Sequence, residues 1–177
     1  MANTTKKKLS FEEGWPILQE SINKVIAKIE GSHQNQITSE EYMQIYTIVY
    51  DICEANPHHP DCQKLYQQFQ KIFEDYIPSK ILPTLRGKEE EKLLKELVKQ
   101  WDNYKIMQRW LTRFFHYLNR FFIPIKRLPS LEQTSHLIFY KLVYGEMNDQ
   151  VRDAVISMIH RNRKGEEIDH DLVKKCS

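Results

Sequence analysis

Apolar side chains recur at steps of three and four along most of this chain, and this spacing constrains the fold more than any other feature of the sequence. The first such stretch consists of Phe11, Trp15, Leu18, Ile22, Val25, Ile26 and Ile29, with Gly31 placed to end it. Residues spaced in this way form one apolar face of a helix. No stretch shows the alternation of a half-buried strand, so the sequence predicts an all-α fold built as a stack of antiparallel helices.

Capping residues and prolines divide the rest of the chain into further helices. Thr38 and Glu41 form a capping-box signature at the start of a second helix, which Asn56 and Pro57 end. Additional predicted helices cover residues 61–76, 88–101, 105–123, 131–147 and 149–164. Pro16 lacks the N–H group that a helix interior uses, so we expect the first turn of the first helix to be kinked or separate.

Composition narrows the class of protein. The chain has 177 residues, of which 41% are hydrophobic and 28% charged, as in an ordinary globular protein. A net charge of +2 with interspersed signs does not indicate a nucleic-acid partner, and no apolar run is long enough for a membrane span. Cys53, Cys62 and Cys176 make an odd count without a secretory signal, which indicates reduced thiols and a cytoplasmic and nuclear location.

Two of the predicted helices carry more apolar surface than one core-facing stripe requires. In the second, Tyr42, Ile45, Tyr46, Val49 and Cys53 share a face, while Met43, Ile48, Tyr50 and Ile52 lie on others. The helix at residues 105–123 is denser in aromatic residues and is interrupted mainly by Arg109, Arg113 and Arg120. Either the bundle covers both helices on all sides, or each helix keeps one face for a partner protein. Aromatic residues and arginine are the types enriched in interface cores.

The sequence gives little support for metal binding, cofactor binding or catalysis. Cys53, His58, His59 and Cys62 do not match a common zinc spacing, so the histidines are interpreted as solvated turn residues and neither a metal nor a cofactor is expected. No nucleophile elbow or phosphate-binding loop occurs, and the chain is predicted not to be an enzyme. Two short basic clusters, Lys6-Lys7-Lys8 and Arg161-Asn162-Arg163-Lys164, keep a helical nucleic-acid-binding module or another protein-interaction module as the alternative.

Several longer motifs resemble the N-terminal region of cullins, the scaffolds of multisubunit ubiquitin ligases. Tyr42-Met43-Gln44-Ile45-Tyr46-Thr47-Ile48-Val49-Tyr50 is similar to the second helix of the first cullin repeat in the cullin-1-like class that docks Skp-type adaptors. Trp101-Asp102-Asn103-Tyr104-Lys105 and Phe115-His116-Tyr117-Leu118-Asn119-Arg120 resemble the segment from the fourth to the fifth helix. Ile81-Leu82-Pro83-Thr84-Leu85-Arg86 looks most like plant members.

The resemblance implies a fold and a site. It implies a first cullin repeat of five helices at residues 9–125 and the incomplete beginning of a second at residues 126–177. Its second and fifth helices would bind a Skp-type adaptor and, through that adaptor, F-box proteins. Carried over by position, the partner-binding residues are Tyr42, Met43, Tyr46, Val49, Tyr50, Arg113, Phe114, Tyr117 and Arg120.

The chain also departs from the family pattern. A full cullin continues into a region that recruits a RING subunit, which this sequence lacks, so it is expected to be either an excised piece or a naturally truncated protein. Its termini favour the latter, and such a short form is expected to compete with full-length cullin for the adaptor. Weak self-association through the unfinished second repeat is a further expectation, because stacked helical repeats normally bury each repeat against the next.

Overall fold

The computed structural model describes residues 9–31 and 37–177, and all regular structure in this part of the chain is helical. The elements are α1 (Phe11–Gly31), α2 (Ser39–Cys53), α3 (Pro60–Tyr76), the π-helical segment π1 (Ile77–Ile81), α4 (Leu82–Leu85), α5 (Glu90–Phe114), π2 (Leu118–Phe122), α6 (Ile123–Lys126), α7 (Leu131–Phe139), π3 (Tyr140–Tyr144), α8 (Gly145–Arg163) and α9 (His170–Cys176). The predicted all-α class is therefore confirmed.

Side chains cap several of the helix starts, among them those of α2 and α9. At α2, the Glu41 N–H donates to Thr38 Oγ1 at 3.1 Å, and the Thr38 N–H donates to the Glu41 carboxylate at 2.9 Å. The predicted capping box is therefore present in full, and it satisfies two N–H groups that a helix start would otherwise leave unpaired. At α9, Asp169 accepts a hydrogen bond from the Leu172 N–H at 3.0 Å.

The first turn of α1 is not separate from the rest of the helix, so this part of the prediction is wrong. The helix is assigned without interruption from Phe11 to Gly31, with Pro16 inside it. Pro16 lies close to the helix start, so it removes only the hydrogen bond to the Glu12 carbonyl. Ser10 stabilises the turn before it, because its side chain accepts from the Glu13 N–H at 3.1 Å and its carbonyl accepts from the Gly14 N–H at 2.9 Å.

Two other predicted helix boundaries are also wrong. The helices expected at residues 88–101 and 105–123 are joined in α5, because Asp102 and Asn103 are not helix breakers and the ring of Trp101 stacks on that of Tyr104 one turn later at 6.0 Å. The boundary expected near residue 148 is absent as well, since π3 carries the chain from α7 into α8. A π-helical turn changes the helical period without ending the helix.

The chain forms two compact units. The first comprises the described residues of Met1–Gln70 and Ile106–Thr134, and the second comprises Lys71–Lys105 and Ser135–Ser177. The unit boundaries fall inside α3, α5 and α7. The repeat boundary predicted between residues 125 and 126 stays a prediction, because a division by compactness does not test a division by repeat.

The core of the first unit is aliphatic at α1 and α2 and aromatic at α3 and α5. Gly14 allows α1 to lie close against α2, since a Cβ atom there would stand 2.7 Å from Ile52 Cδ1. Phe69 of α3 and Phe115, just beyond α5, meet edge to face with their ring centroids 5.4 Å apart. The Tyr66 and Thr134 hydroxyl groups, both buried, lie 3.3 Å apart at hydrogen-bond distance.

The second unit is organised around Tyr104, which is fully buried. Its ring lies 5.2 Å from that of Phe73 and 4.9 Å from that of Phe139, between centroids. Its hydroxyl group donates to the Ser135 carbonyl at 2.6 Å, so the polar end of this ring is satisfied inside the core. Burial raises the pKa of Tyr104 well above its usual value, which keeps the hydroxyl protonated as a donor.

Candidate protein-interaction surface

Helix α2 divides its side chains between the core and the surface. Ile45, Val49, Ile52 and Cys53 are buried, as the helical spacing of these positions requires. The remaining apolar and aromatic residues stay partly or largely open to solvent. They are Tyr42, Tyr46 and Ile48, which are half-buried, together with Met43 and Tyr50, which are 53% and 38% exposed.

Tyr42 and Tyr46 belong to a row of rings that crosses from α2 to α5. The ring centroids of Tyr42 and Tyr46 are 6.3 Å apart, and the Tyr42 ring lies 6.2 Å from that of Phe114. Phe114 in turn lies 6.2 Å from Trp110, and the Arg113 guanidinium stands over the Trp110 ring at 5.1 Å. The row therefore leads from solvent-facing tyrosines on one helix to an exposed cation on another.

A second row crosses from α2 to π2. The Tyr50 ring meets that of Tyr117 edge to face at 5.5 Å, and the Tyr117 ring lies 5.0 Å from that of Phe121. The Arg120 guanidinium stands 5.3 Å from the Phe121 ring, which is 41% exposed. Edge-to-face ring pairs and a cation over a ring face are both favourable, by roughly 0.5–1.5 kcal/mol each.

We name the partly or largely exposed residues of these two rows, together with exposed Met43, the aromatic surface. It consists of Tyr42, Met43, Tyr46, Tyr50, Trp110 and Phe121, with Arg113 and Arg120. Aromatic residues, methionine and arginine are the residue types that interface cores favour. An all-helical chain that presents such a surface is equipped for protein binding.

Three predicted partner-binding residues lie beneath this surface instead of on it. Val49 and Phe114 are 0% exposed and Tyr117 is 3% exposed, so their side chains offer almost no area to a partner in this conformation. The sequence did not predict this burial, because helical spacing identifies a face but not the neighbours that cover it. Phe114 and Tyr117 support the tyrosines of α2 from below, and Val49 anchors α2 in the core. The set of nine binding residues stays a prediction.

Sequence reasoning left Trp110 and Phe121 out of the predicted site, together with Arg109 and His116, which extend the predicted Arg113 and Arg120 into a basic stripe. Exposed Arg109, Arg113, His116 and Arg120 follow one another at steps of four, three and four. No acidic residue occurs in the sequence from residue 103 to residue 131, and this absence was the signal that could have identified the stripe. The resulting positive field favours an acidic partner.

Tyr117, the buried ring of the second row, has a raised pKa. Burial, and to a smaller extent the nearby thiols of Cys53 and Cys62, raises the pKa of Tyr117 to about 12. Because the unfolded chain releases this proton near pH 10, the stability that depends on protonated Tyr117 is complete below pH 10 and is lost between about pH 10 and 12.

We therefore expect Tyr117→Phe, which cannot ionise, to move the midpoint of alkaline unfolding to higher pH. Circular dichroism at increasing pH measures this shift. Tyr140→Phe is the matched control, because that tyrosine is largely exposed. An alkaline midpoint that is the same in the Tyr117 variant and in the unmodified chain would contradict the expectation.

Metal binding, membrane insertion, nucleic-acid binding and self-association are the other candidate properties. Among residues 9–31 and 37–177 no group of three metal-ligating side chains comes together, and none of the helices there is long and apolar enough to cross a bilayer. In the basic cluster at the end of α8, Arg161 pairs with Glu90. The cluster Lys6-Lys7-Lys8 lies outside the described residues. The self-association expected from an unfinished second repeat stays a prediction. The second unit does have exposed apolar residues, among them Tyr140 and Ile156.

Comparison with known proteins places these features in a family. The fold and the aromatic surface define a helical protein-interaction module. Residues 15–177 match the family model of the cullin alpha solenoid domain, and the chain belongs to the cullin family. Cullins are scaffold proteins and not enzymes, in agreement with the prediction that this chain is not an enzyme.

Its relatives include several plant cullins. Cullin-1 of Oryza sativa subsp. japonica is 45% identical over 98% of this chain, Cullin-2 of Arabidopsis thaliana is 35% identical over 96%, and Cullin-like protein 3 of Arabidopsis thaliana is 35% identical over 94%. The chain covers 23%, 23% and 64% of these three relatives, respectively. The predicted resemblance to plant cullins is confirmed.

Proposed function

We propose that this chain docks a Skp-type adaptor, and through it F-box substrate receptors, as the adaptor-binding end of a cullin-RING ubiquitin ligase scaffold. The observation that carries the proposal is the pair of aromatic rows that joins α2 to α5 and π2. Each row has a buried ring that holds exposed rings in place, and each has an arginine beside it. Membership of the cullin family supports the same role.

The physical roles follow from the exposure of each residue. Tyr42, Met43, Tyr46 and Tyr50 supply apolar area that leaves water on docking. An interface of standard size buries about 800 Å² per partner, and a few aromatic anchors can supply most of its binding energy. Arg113 and Arg120 attract acidic groups of the adaptor, which raises the association rate more than the final affinity.

Two finer proposals rest on this one. A polypeptide of these 177 residues that holds the adaptor occupies it without recruiting a RING subunit, so it competes with full-length cullin.

The three buried thiols are free and fit a reducing compartment, and we propose that the chain acts in the cytoplasm and nucleus.

Co-purification tests the adaptor class. The chain is used as bait against purified Skp-type, elongin-type and BTB-type adaptors, and retention of the Skp-type adaptor alone is the expected result. Retention of another class instead would contradict the proposed specificity. A duplex oligonucleotide serves as a further probe, and retention of the oligonucleotide without any adaptor would favour the nucleic-acid alternative.

Charge reversal tests the role of the arginines. We expect Arg113→Glu with Arg120→Glu to slow adaptor association about 10-fold at low salt, because steering by charge is removed and reversed. The difference should shrink at high salt, where these exposed charges are screened. Stopped-flow mixing measures the rate.

Lys92→Glu with Lys99→Glu is the matched control for this test. It makes the same change in net charge at exposed positions of α5, the helix that carries Arg113, and outside the aromatic surface. An equal loss of rate in both double variants would mean that only net charge matters and would remove the arginines from the proposed site.

A further inference from the structure

Two cysteines flank the turn between α2 and α3. Cys53 is the last residue of α2 and Cys62 is the third residue of α3, so eight residues separate them. Both side chains are fully buried and both thiols are free. Adaptor docking as proposed above uses neither thiol.

Hydrogen bonds fold the turn so that its two ends approach. The Asn56 N–H donates to the Cys53 carbonyl at 2.8 Å, which ties the start of the turn to the end of α2. The Asn56 carbonyl accepts from the Cys62 thiol at 3.5 Å, so the sulfur of Cys62 is held on the same residue. The Cys62 N–H closes the far side by donating to the His59 carbonyl at 3.0 Å. One residue, Asn56, therefore contacts both cysteines.

The thiols differ in acidity, as an attacking and a resolving cysteine do. A hydrogen bond between the two thiol groups is the largest cause for each: it lowers the pKa of Cys62 and raises that of Cys53. Burial and the charge of Asp61 raise the pKa of both thiols, but for Cys62 the thiol–thiol hydrogen bond outweighs them. Cys62 lies in the first turn of α3, where the helix dipole favours a thiolate.

We propose that Cys53 and Cys62 form a reversible intrachain disulfide when the chain meets a peroxide, and that this bond fastens the end of α2 to the start of α3. The inference does not depend on adaptor binding. It concerns a redox-sensitive closure of the turn. The turn residues Glu54, Ala55 and Asn56 are exposed, and local opening of the turn gives a peroxide access to the two thiols.

The reaction balances in two steps. The Cys62 thiolate attacks one peroxide oxygen, a sulfur–oxygen bond forms, the oxygen–oxygen bond breaks, and the departing hydroxide takes up a proton to become water. The Cys53 thiol then attacks the Cys62 sulfur, the disulfide bond forms, the sulfur–oxygen bond breaks, and the hydroxide leaves as water with the Cys53 proton. The two sulfurs together lose two electrons and the peroxide gains them.

Peptide mapping of the folded full chain tests the proposal. The chain is treated with hydrogen peroxide, the remaining thiols are blocked, and the digest is analysed by mass spectrometry with and without dithiothreitol. The expected result is a linked pair of peptides containing Cys53 and Cys62 that dithiothreitol separates, with Cys176 still blocked as a free thiol. The melting temperature should rise by about 5 °C on oxidation, because the bond closes a short loop in the unfolded chain.

Two matched variants separate the outcomes. Cys62→Ser should lose both the linked peptide and the rise in melting temperature, whereas Cys176→Ser should keep both. The inference is overturned if all three thiols stay free after treatment, if Cys62 stops at a sulfonic acid, or if the linked peptides come from two chains through Cys176. Adaptor capture measured on the reduced chain reports on the proposed function separately.

Discussion

Replacing both Tyr42 and Tyr46 with alanine is expected to weaken binding of a Skp-type adaptor by at least about 100-fold. The two rings stack on each other on α2, and Tyr42 also rests on buried Phe114. Central aromatic anchors of this kind each contribute about 2 kcal/mol or more, and two of them exceed a 100-fold change even if their effects are not additive. Isothermal titration calorimetry measures the loss.

The matched control for this pair is Ile17→Ala. Ile17 lies on α1 of the same unit and is 50% exposed, so its truncation removes comparable solvent-facing apolar area at a position outside the aromatic surface. Its adaptor affinity should equal that of the unmodified chain. A similar loss in the control and in the double variant would indicate that general surface apolarity, and not the aromatic surface, drives capture.

Folding of the double variant has to be measured beside its binding. Both tyrosines are half-buried, so we expect helical circular dichroism to be retained with a modest loss of stability. An unfolded double variant would assign these rings to the core. In that case Met43→Glu replaces the double variant in the binding test, because Met43 is 53% exposed and a charge there leaves the core intact. Full adaptor affinity in a folded Met43→Glu chain would count against docking at this face.

Local signals in the sequence predicted local structure well. Thr38 and Glu41 predicted the start of α2 because a capping box involves only residues three apart. Gly165 directly follows the helix predicted at residues 149–164, and it has the left-handed backbone, with φ of +86°, that glycine adopts easily at a helix end. The aromatic excess of residues 42–50 and 105–123 likewise led to the two segments that form the rows of rings.

The burial of individual rings could not be predicted in the same way. Phe114 and Phe121 look alike in the sequence, yet one is fully buried and the other is largely open. The difference depends on which side chains of α2 and α3 arrive from distant parts of the chain, and on π2, whose wider turns depart from the 3.6-residue period. A periodicity argument assumes one period throughout and therefore misassigns residues after Phe115.

Phe115→Ala is expected to lower the free energy of unfolding by about 3–5 kcal/mol, which is a large share of the stability of an ordinary domain. Phe115 is fully buried, and its ring meets that of Phe69 edge to face. Truncation removes the transfer free energy of the ring and leaves a cavity that neighbouring helices cannot fill completely. Urea denaturation followed by circular dichroism measures the change.

Phe121→Ala makes the same chemical change six residues later and separates stability from binding. Phe121 is 41% exposed and contacts Tyr117 and Arg120, so its loss should cost about 1 kcal/mol of stability or less and should weaken adaptor binding instead. Phe115→Ala, assayed where it remains folded, should bind the adaptor normally. If Phe121→Ala destabilises the chain as much as Phe115→Ala does, then π2 belongs to the core, and the second row of rings offers no surface to a partner.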